Sequence, residues 1–437
     1  MKDQDIKNQL WEFYSHVRGH IDYYGSAKKI IQLLFLRSVL DDATGYNLKS
    51  VEDMKALFKL QNEFAGMNLT ETTIRDAFAV VDCAFFGSEM GLSKAAPLYQ
   101  FFFGARAEDQ RSIIGALQQF VLPLEPEGRW EVIKAIYQSS SRDIRRFEES
   151  NTPDTLIKLG NSLLDVKPSD FYMDAFSGLS SAFLSLPDNG YVKYEGFELN
   201  ADTFATSLML IIMLKKKNAF VYNADFFNVP EEPLYDKVFC DGPLNLRLDG
   251  RDNLEAVAKY GIRESDVLSF YRISNMLKEK GRAVITVAGK FLFSNAKPYE
   301  VVRQRFTEEG LKAIVYLPGG ILATTMIPIN VVLLEKGYKG PIALVDAREL
   351  TVAPSRLEKI LEEKTISEIV HSVEGMDRNV SYVRIVDRDE LLKGEQANWN
   401  PGKLFETKDE KVHRSLPEIE ADIEQTLQSL VKLVDGK

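Results

Sequence analysis

The chain has little of several things, and each shortage excludes something. Its 437 residues include two cysteines, Cys83 and Cys240. That is too few for a disulfide framework, so a reducing compartment is expected, most naturally the cytoplasm. No uncharged apolar run of membrane-spanning length occurs, and the opening segment, MKDQDIKNQLWEF, lacks the apolar core of a signal peptide. No membrane partner is therefore expected. There is no internal repeat, no low-complexity tract and no Gly-x-Gly-x-x-Gly fingerprint of a dinucleotide binder, and no metal site is expected. Positive charge is also short: 54 Lys and Arg against 64 Asp and Glu leave a net charge of −10. Such a balance speaks against a free-standing binder of naked nucleic acid.

What is present is the composition of a globular protein, 45 % hydrophobic and 27 % charged. At about 150 residues per domain, the length predicts two to three domains. Residues 1–140 read as a helical bundle. Ser26 can cap a helix running through Gln32-Leu33-Leu34-Phe35-Leu36-Arg37, whose apolar run suits burial. Amphipathic stretches follow at 113–120 and 130–137, with a strong break at Leu122-Pro123-Leu124-Glu125-Pro126-Glu127-Gly128. The polar stretch 139–143 reads as a linker.

Over residues 141–350 the pattern changes to α/β. Short apolar strands are expected at 171–174, 192–198, 219–223, 237–240, 283–287, 312–316, 330–334 and 342–345, with helical periodicity at 201–214 and 297–310. This alternation predicts a doubly wound, mainly parallel sheet that binds its ligand outside the carboxyl ends of the strands, where the strand order reverses. Residues 351–437 are looser and end in a capping box, Ser415-Leu416-Pro417-Glu418. Apolar residues then recur at Leu416, Ile419, Ile423, Leu427, Leu430 and Val434. That spacing predicts a terminal helix with a coiled-coil-like stripe, packed on its own domain or on a partner. Lys215-Lys216-Lys217, the longest cationic run, reads as a solvated helix end.

Four strand ends could carry chemistry. The first runs Asp174-Ala175-Phe176-Ser177-Gly178-Leu179-Ser180-Ser181, a turn of small residues that lets the backbone approach a ligand. The second ends at Glu198, 24 residues after Asp174, the offset at which an acidic residue accepts from ribose hydroxyls; a solvated strand end is the other reading. Asp225 follows the third strand, as a ligand acceptor or an ordinary turn residue. The fourth ends in Asp241-Gly242-Pro243-Leu244.

With these residues in view, the chain resembles the modification (M) subunit of type I restriction–modification systems, adenine-N6 DNA methyltransferases that use S-adenosylmethionine. The resemblance covers almost the whole length. It is carried by Gln32 to Arg37, by Glu195-Gly196-Phe197-Glu198-Leu199-Asn200 with Thr203-Phe204-Ala205, by Leu317-Pro318-Gly319-Gly320-Ile321-Leu322 with Ile327-Pro328, and by Asn398-Trp399-Asn400-Pro401. It implies a methyltransferase-type α/β domain between a helical N-terminal domain and a C-terminal helix. It assigns Asn151, Thr152, Pro153, Asp174, Phe176, Ser177, Gly178, Glu198 and Asp225 to the cofactor, and Asp241, Pro243 and Leu244 to catalysis. It also implies a specificity-type subunit docked on the terminal helix, DNA met only within the complex, and a second copy of the chain as a further partner.

The ligand-side motifs depart from the family pattern. Aromatic-Thr-Pro-Arg has become Asn151-Thr152-Pro153-Asp154. Asp-Pro-x-x-Gly-x-Gly keeps one glycine of two, with Ser180 in place of the second. Asn-Pro-Pro-Phe/Tyr has become Asp241-Gly242-Pro243-Leu244. An exocyclic amine is a poor nucleophile and must be held in line with the methyl donor by two hydrogen-bond acceptors. Asp241 can supply one, but Gly242 gives up a rigid backbone and Leu244 cannot stack on a base, a loss of roughly 1–3 kcal/mol. Three readings follow: an M-like subunit with weakened or lost catalysis, a fully active adenine methyltransferase, and a methyltransferase fold acting on a non-DNA substrate. The pattern further predicts that Gly242→Pro with Leu244→Phe restores some activity to a protein that binds cofactor without turnover.

Overall fold

A computed structural model describes residues 3–17, 26–94, 102–139, 152–187, 193–250, 254–322, 326–354, 358–392 and 397–405. The expected linker beyond Ser139, Asn151 and the expected terminal helix at 416–434 lie outside the described residues. Residues 1–398 form one compact unit, and 399–437 form a second. In the latter, Asn400 caps the short helix Pro401–Leu404 by accepting the Gly402 amide at 3.0 Å.

The first part is helical, as its periodicity predicts, with helices Asp3–Val17, Ser26–Asp41, Val51–Ala65, Glu71–Phe86, Ala107–Gln119 and Pro126–Ser139. Ser26–Asp41 is apolar nearly all round and buried along its length, with Ile31, Leu33, Leu34, Phe35 and Leu36 fully covered. It packs on the equally apolar helix Ala201–Met213. One polar side chain fixes the match. Gln32 is fully buried, and its amide donates to Asp202 at 2.7 Å and Thr206 at 2.8 Å. At the far end of Ala201–Met213, buried Arg129 donates to both oxygens of Asp42, at 2.7 and 3.1 Å, and to the Met213 carbonyl at 3.1 Å. Breaking such a buried pair costs about 3–5 kcal/mol, because the remaining charge is left uncompensated.

The sheet has nine strands: β1 (Phe171–Asp174), β2 (Lys193–Phe197), β3 (Ala219–Tyr222), β4 (Tyr235–Cys240), β5 (Leu277–Ala288), β6 (Leu311–Tyr316), β7 (Ile329–Glu335), β8 (Ile342–Asp346) and β9 (Val383–Val386). Their order is β3-β2-β1-β4-β5-β7-β6-β8-β9. The run from β3 to β5 is parallel throughout, and β7 inserts antiparallel between β5 and β6. All eight expected strands are present, with β5 starting six residues earlier than its apolar core suggested. The sheet also continues past residue 350. Helix Glu363–Gly375 leads to β9, which pairs antiparallel with β8. An ion network holds that helix to the sheet: Arg282 and Lys312 each reach both Glu335 and Glu374 at 2.8–2.9 Å.

The order in which strands are added reverses at β1, which pairs with β2 on one side and β4 on the other. Such a switch leaves a crevice at the strands' carboxyl ends. The register sets its contents: Asp174 lies level with Gly196 of β2 and Phe239 of β4, two residues short of Glu198 and Asp241.

Candidate active site

A cleft of about 690 Å³ opens at these strand ends. Thr152, Asp174, Phe176, Ser177, Gly178, Glu198, Asp225, Asp241, Pro243 and Leu244 all line it. Pro153 is not among the lining residues and occupies the N-cap position of helix Asp154–Leu164. Asn151 lies outside the described residues. Asp154, the acidic replacement in that segment, points to solvent and pairs with Lys158 at 3.0 Å. A second cavity of about 600 Å³, lined by Asp42, Tyr46, Phe85 and Lys215 among others, contains none of the expected residues.

The loop after β1 turns tightly. The Ser177 amide donates to the Phe197 carbonyl at 2.9 Å, which ties the loop to the end of β2. Gly178 (φ 51°) and Ser180 (φ 58°) are both in the left-handed region. Ser180 holds the conformation that favours glycine through side-chain bonds, with its hydroxyl 2.6 Å from that of Ser207 and accepting from Tyr194 at 3.0 Å. A non-glycine residue thus stands in the left-handed region at the second glycine position of the motif.

Carboxylates converge on the cleft. Asp174 is buried, and its pKa is pushed up to about 8, chiefly by desolvation. The Phe176 amide opposes this shift, and the negative charges of Asp241 and Glu198 reinforce it. Half-buried Glu198 is likewise raised by desolvation, against the amides of Asn200, Gly178 and Leu199; the Asn200 bond is 2.6 Å. Asp225 accepts the Phe227 amide at 2.9 Å and so starts the turn after β3.

The loop after β4 is the most altered. Desolvation raises the Asp241 carboxyl, and hydroxyl donors counter it: Thr286 of β5 at 2.7 Å, and Thr152. Ser265, fully buried, staples the loop by donating to the Pro243 carbonyl at 2.6 Å and accepting the Leu246 amide at 3.1 Å. Gly242 is backed by an aromatic ring. A Cβ placed there would lie 2.5 Å from two carbons of Phe176. Phe176 in turn meets Phe226 and Phe227, with ring centroids 5.2 and 5.5 Å away. Leu244 is half-buried and packs against the core. The Gly242→Pro part of the expected rescue would therefore set a Cβ against the Phe176 ring, which must shift to admit it.

Sequence reasoning passed over Thr286 and Ser265. The one available signal was a threonine inside the apolar run Ala283-Val284-Ile285-Thr286-Val287-Ala288.

With this geometry in hand, comparison with known proteins points one way. The family model for N-6 DNA methylase matches residues 143–413. The methylase subunit of the type I restriction enzyme MpnII from Mycoplasma pneumoniae is 21 % identical over 267 residues, covering 56 % of this chain and 48 % of that protein. The chain thus spans about half the length of this curated relative. In fold it is similar to the methyltransferase subunit of a type I restriction–modification system from Streptococcus thermophilus, with a TM-score of 0.74 at 16 % identity over 92 % of this chain and 99 % of that one. A chain from a type I restriction–modification system studied for its complex assembly gives a TM-score of 0.65 at 14 % identity over 100 % and 99 %. No helix among the described residues is long and apolar enough to cross a membrane. The chain belongs to the N-6 DNA methylase family.

Proposed function

We propose that this chain is the M-like subunit of a type I-like DNA restriction–modification or defence complex. On this reading it takes S-adenosylmethionine in the cleft, and methyl transfer to adenine N6 there is weakened or lost. The carrying observation is the loop after β4. Asp241 is already engaged by Thr286 and Thr152, Gly242 replaces a rigid backbone and rests on Phe176, and Leu244 offers no stacking face. A carboxylate that already accepts two hydroxyl bonds is a poorer acceptor for the target amine, and a glycine carbonyl is less preorganised than one in a proline frame.

The residues present fit the cofactor. Glu198 and Asp225 suit ribose hydroxyls and an exocyclic amine as acceptors, and the left-handed turn at Gly178 and Ser180 lets the backbone come close. Asp174 holds a proton at neutral pH and would release it to solvent when a cationic ligand binds beside it. When bound, S-adenosylmethionine would supply an electrophilic methyl group; this chain's part is to bind and orient it and to accept the amine's N–H at Asp241. The convergence of Asp174, Glu198, Asp225 and Asp241 in one cleft favours the second reading, a fully active enzyme.

Calorimetric titration with S-adenosylmethionine tests the cofactor assignment, and absence of binding overturns it. Transfer of labelled methyl groups to DNA, with the partner subunit present, separates the two readings. Turnover that Asp241→Ala abolishes establishes the active enzyme and removes the weakened one. The partner is assigned to the segment 416–434, with DNA met only within the assembled complex. Truncation after Ser415 is expected to abolish co-purification with a specificity-type subunit, and unchanged assembly overturns that assignment.

A further inference from the structure

We infer that Phe176 is the aromatic wall of the cleft, the face on which a purine ring stacks, and that position 242 is glycine in order to seat it. The inference rests on the reading of the cleft as a site for an adenine-bearing ligand and adds a specificity-determining residue that the family motif does not supply here. Three observations carry it. First, ring and glycine interlock: any Cβ at 242 would lie 2.5 Å from the Phe176 ring, so the two positions are matched across 66 residues of sequence. Second, the ring is braced by aromatic neighbours. Phe226 and Phe227 are both buried, and Phe226 meets it edge-on, which fixes an aromatic plane better than an aliphatic pocket would. Third, the ring is a wall and not a plug. It is half-buried and lines the cleft, which keeps about 690 Å³ with the ring in place, room enough for a nucleoside-sized ligand. The aromatic ring missing at Leu244 is thus offered from the neighbouring loop, the one after β1.

The purine has two sources, the adenine of the cofactor and the adenine of the target, and the test distinguishes them. Phe176→Leu keeps apolar volume without the ring, Phe176→Tyr keeps the ring, and Gly242→Ala displaces it. S-adenosylhomocysteine is titrated calorimetrically into the full chain. A short deoxyadenosine oligonucleotide is then titrated, by fluorescence anisotropy, into the chain assembled with its specificity-type subunit and saturated with S-adenosylhomocysteine. Phe176→Leu is expected to weaken one of the two ligands about tenfold, as for loss of one base–aromatic stack, and Phe176→Tyr to stay within about twofold of wild type. Gly242→Ala should match Phe176→Leu, and combining the two should cost nothing further. A loss in the first titration assigns the wall to the cofactor; a loss in the second assigns it to the incoming base. Equal or tighter binding of both ligands by Phe176→Leu overturns the inference and leaves the reading of the cleft standing. A wild-type chain that binds neither ligand overturns both. If Phe176→Leu does not fold, Gly242→Ala decides, and unchanged affinity in that variant overturns the inference.

Discussion

The loops after β1 and β4 both depart from the family's pattern, but in opposite ways. In the first, a glycine has become Ser180, yet the backbone stays at φ 58° and two side-chain bonds hold it there. In the second, a proline position has become Gly242, and a ring from the first loop now fills the volume beside it. One loop holds a non-glycine residue in the left-handed region; the other sets a glycine against an aromatic ring. In both, the residue at the motif position is matched by a neighbour that the motif does not name.

The largest effect is expected at Asp174, whose proton responds to both loops. With its pKa at about 8, it is neutral at physiological pH. A cationic ligand such as S-adenosylmethionine favours the carboxylate, so affinity should rise about tenfold per pH unit from pH 6 and level off above pH 8. Calorimetry across that range checks this, and Asp174→Asn should flatten the profile. Stability of the free protein should run the other way. The unfolded chain gives up this proton near pH 4 while the folded chain retains it to about 8, so stability falls as pH rises between the two. In Asp174→Asn that slope should shrink, and an unchanged slope would show that Asp174 does not couple the loops.

Next in size is Gly242→Pro. Rewriting the sequence toward the family motif should damage the loop after β4, because the new Cβ is set against the Phe176 ring. Overpacking of this kind costs about 1–3 kcal/mol, read as a lower denaturation midpoint. No methyl transfer should appear in Gly242→Pro with Leu244→Phe, and turnover in that double variant would show that the two loops are not matched.

This interdependence explains how far the sequence could be read. The strands were legible because a parallel sheet covered on both faces demands short apolar runs, and those from Phe171 to Val345 stand out. β9 was not, since it is short, lies at the sheet edge and buries only its two ends, with Arg384 and Ile385 half-exposed between them. Asp174, Glu198, Asp225 and Asp241 were legible as acidic residues at strand ends, and the structure brings all four to one cleft. Thr286 was not, because threonine is an ordinary strand former and nothing local marks it as Asp241's donor. The contact between Phe176 and Gly242 joins residues far apart in sequence, and in one dimension Gly242 reads only as a loss of rigidity.

The finest test of the comparison is at Ser180. If its two hydrogen bonds are what let a serine stand in for glycine, Ser180→Ala keeps the left-handed strain and loses both bonds. A destabilisation of about 1–2 kcal/mol is then expected. Ser180→Gly loses the same bonds but also removes strain worth about 1 kcal/mol, so it should fall between alanine and wild type, within about 1 kcal/mol of the latter. Chemical denaturation of the three proteins measures the order directly. Wild type above glycine above alanine means that the side-chain bonds preserve the turn. Glycine above wild type would mean that the backbone ties from Ser177 to Phe197 and β2 hold the loop, and that Ser180 only tolerates a shape imposed on it.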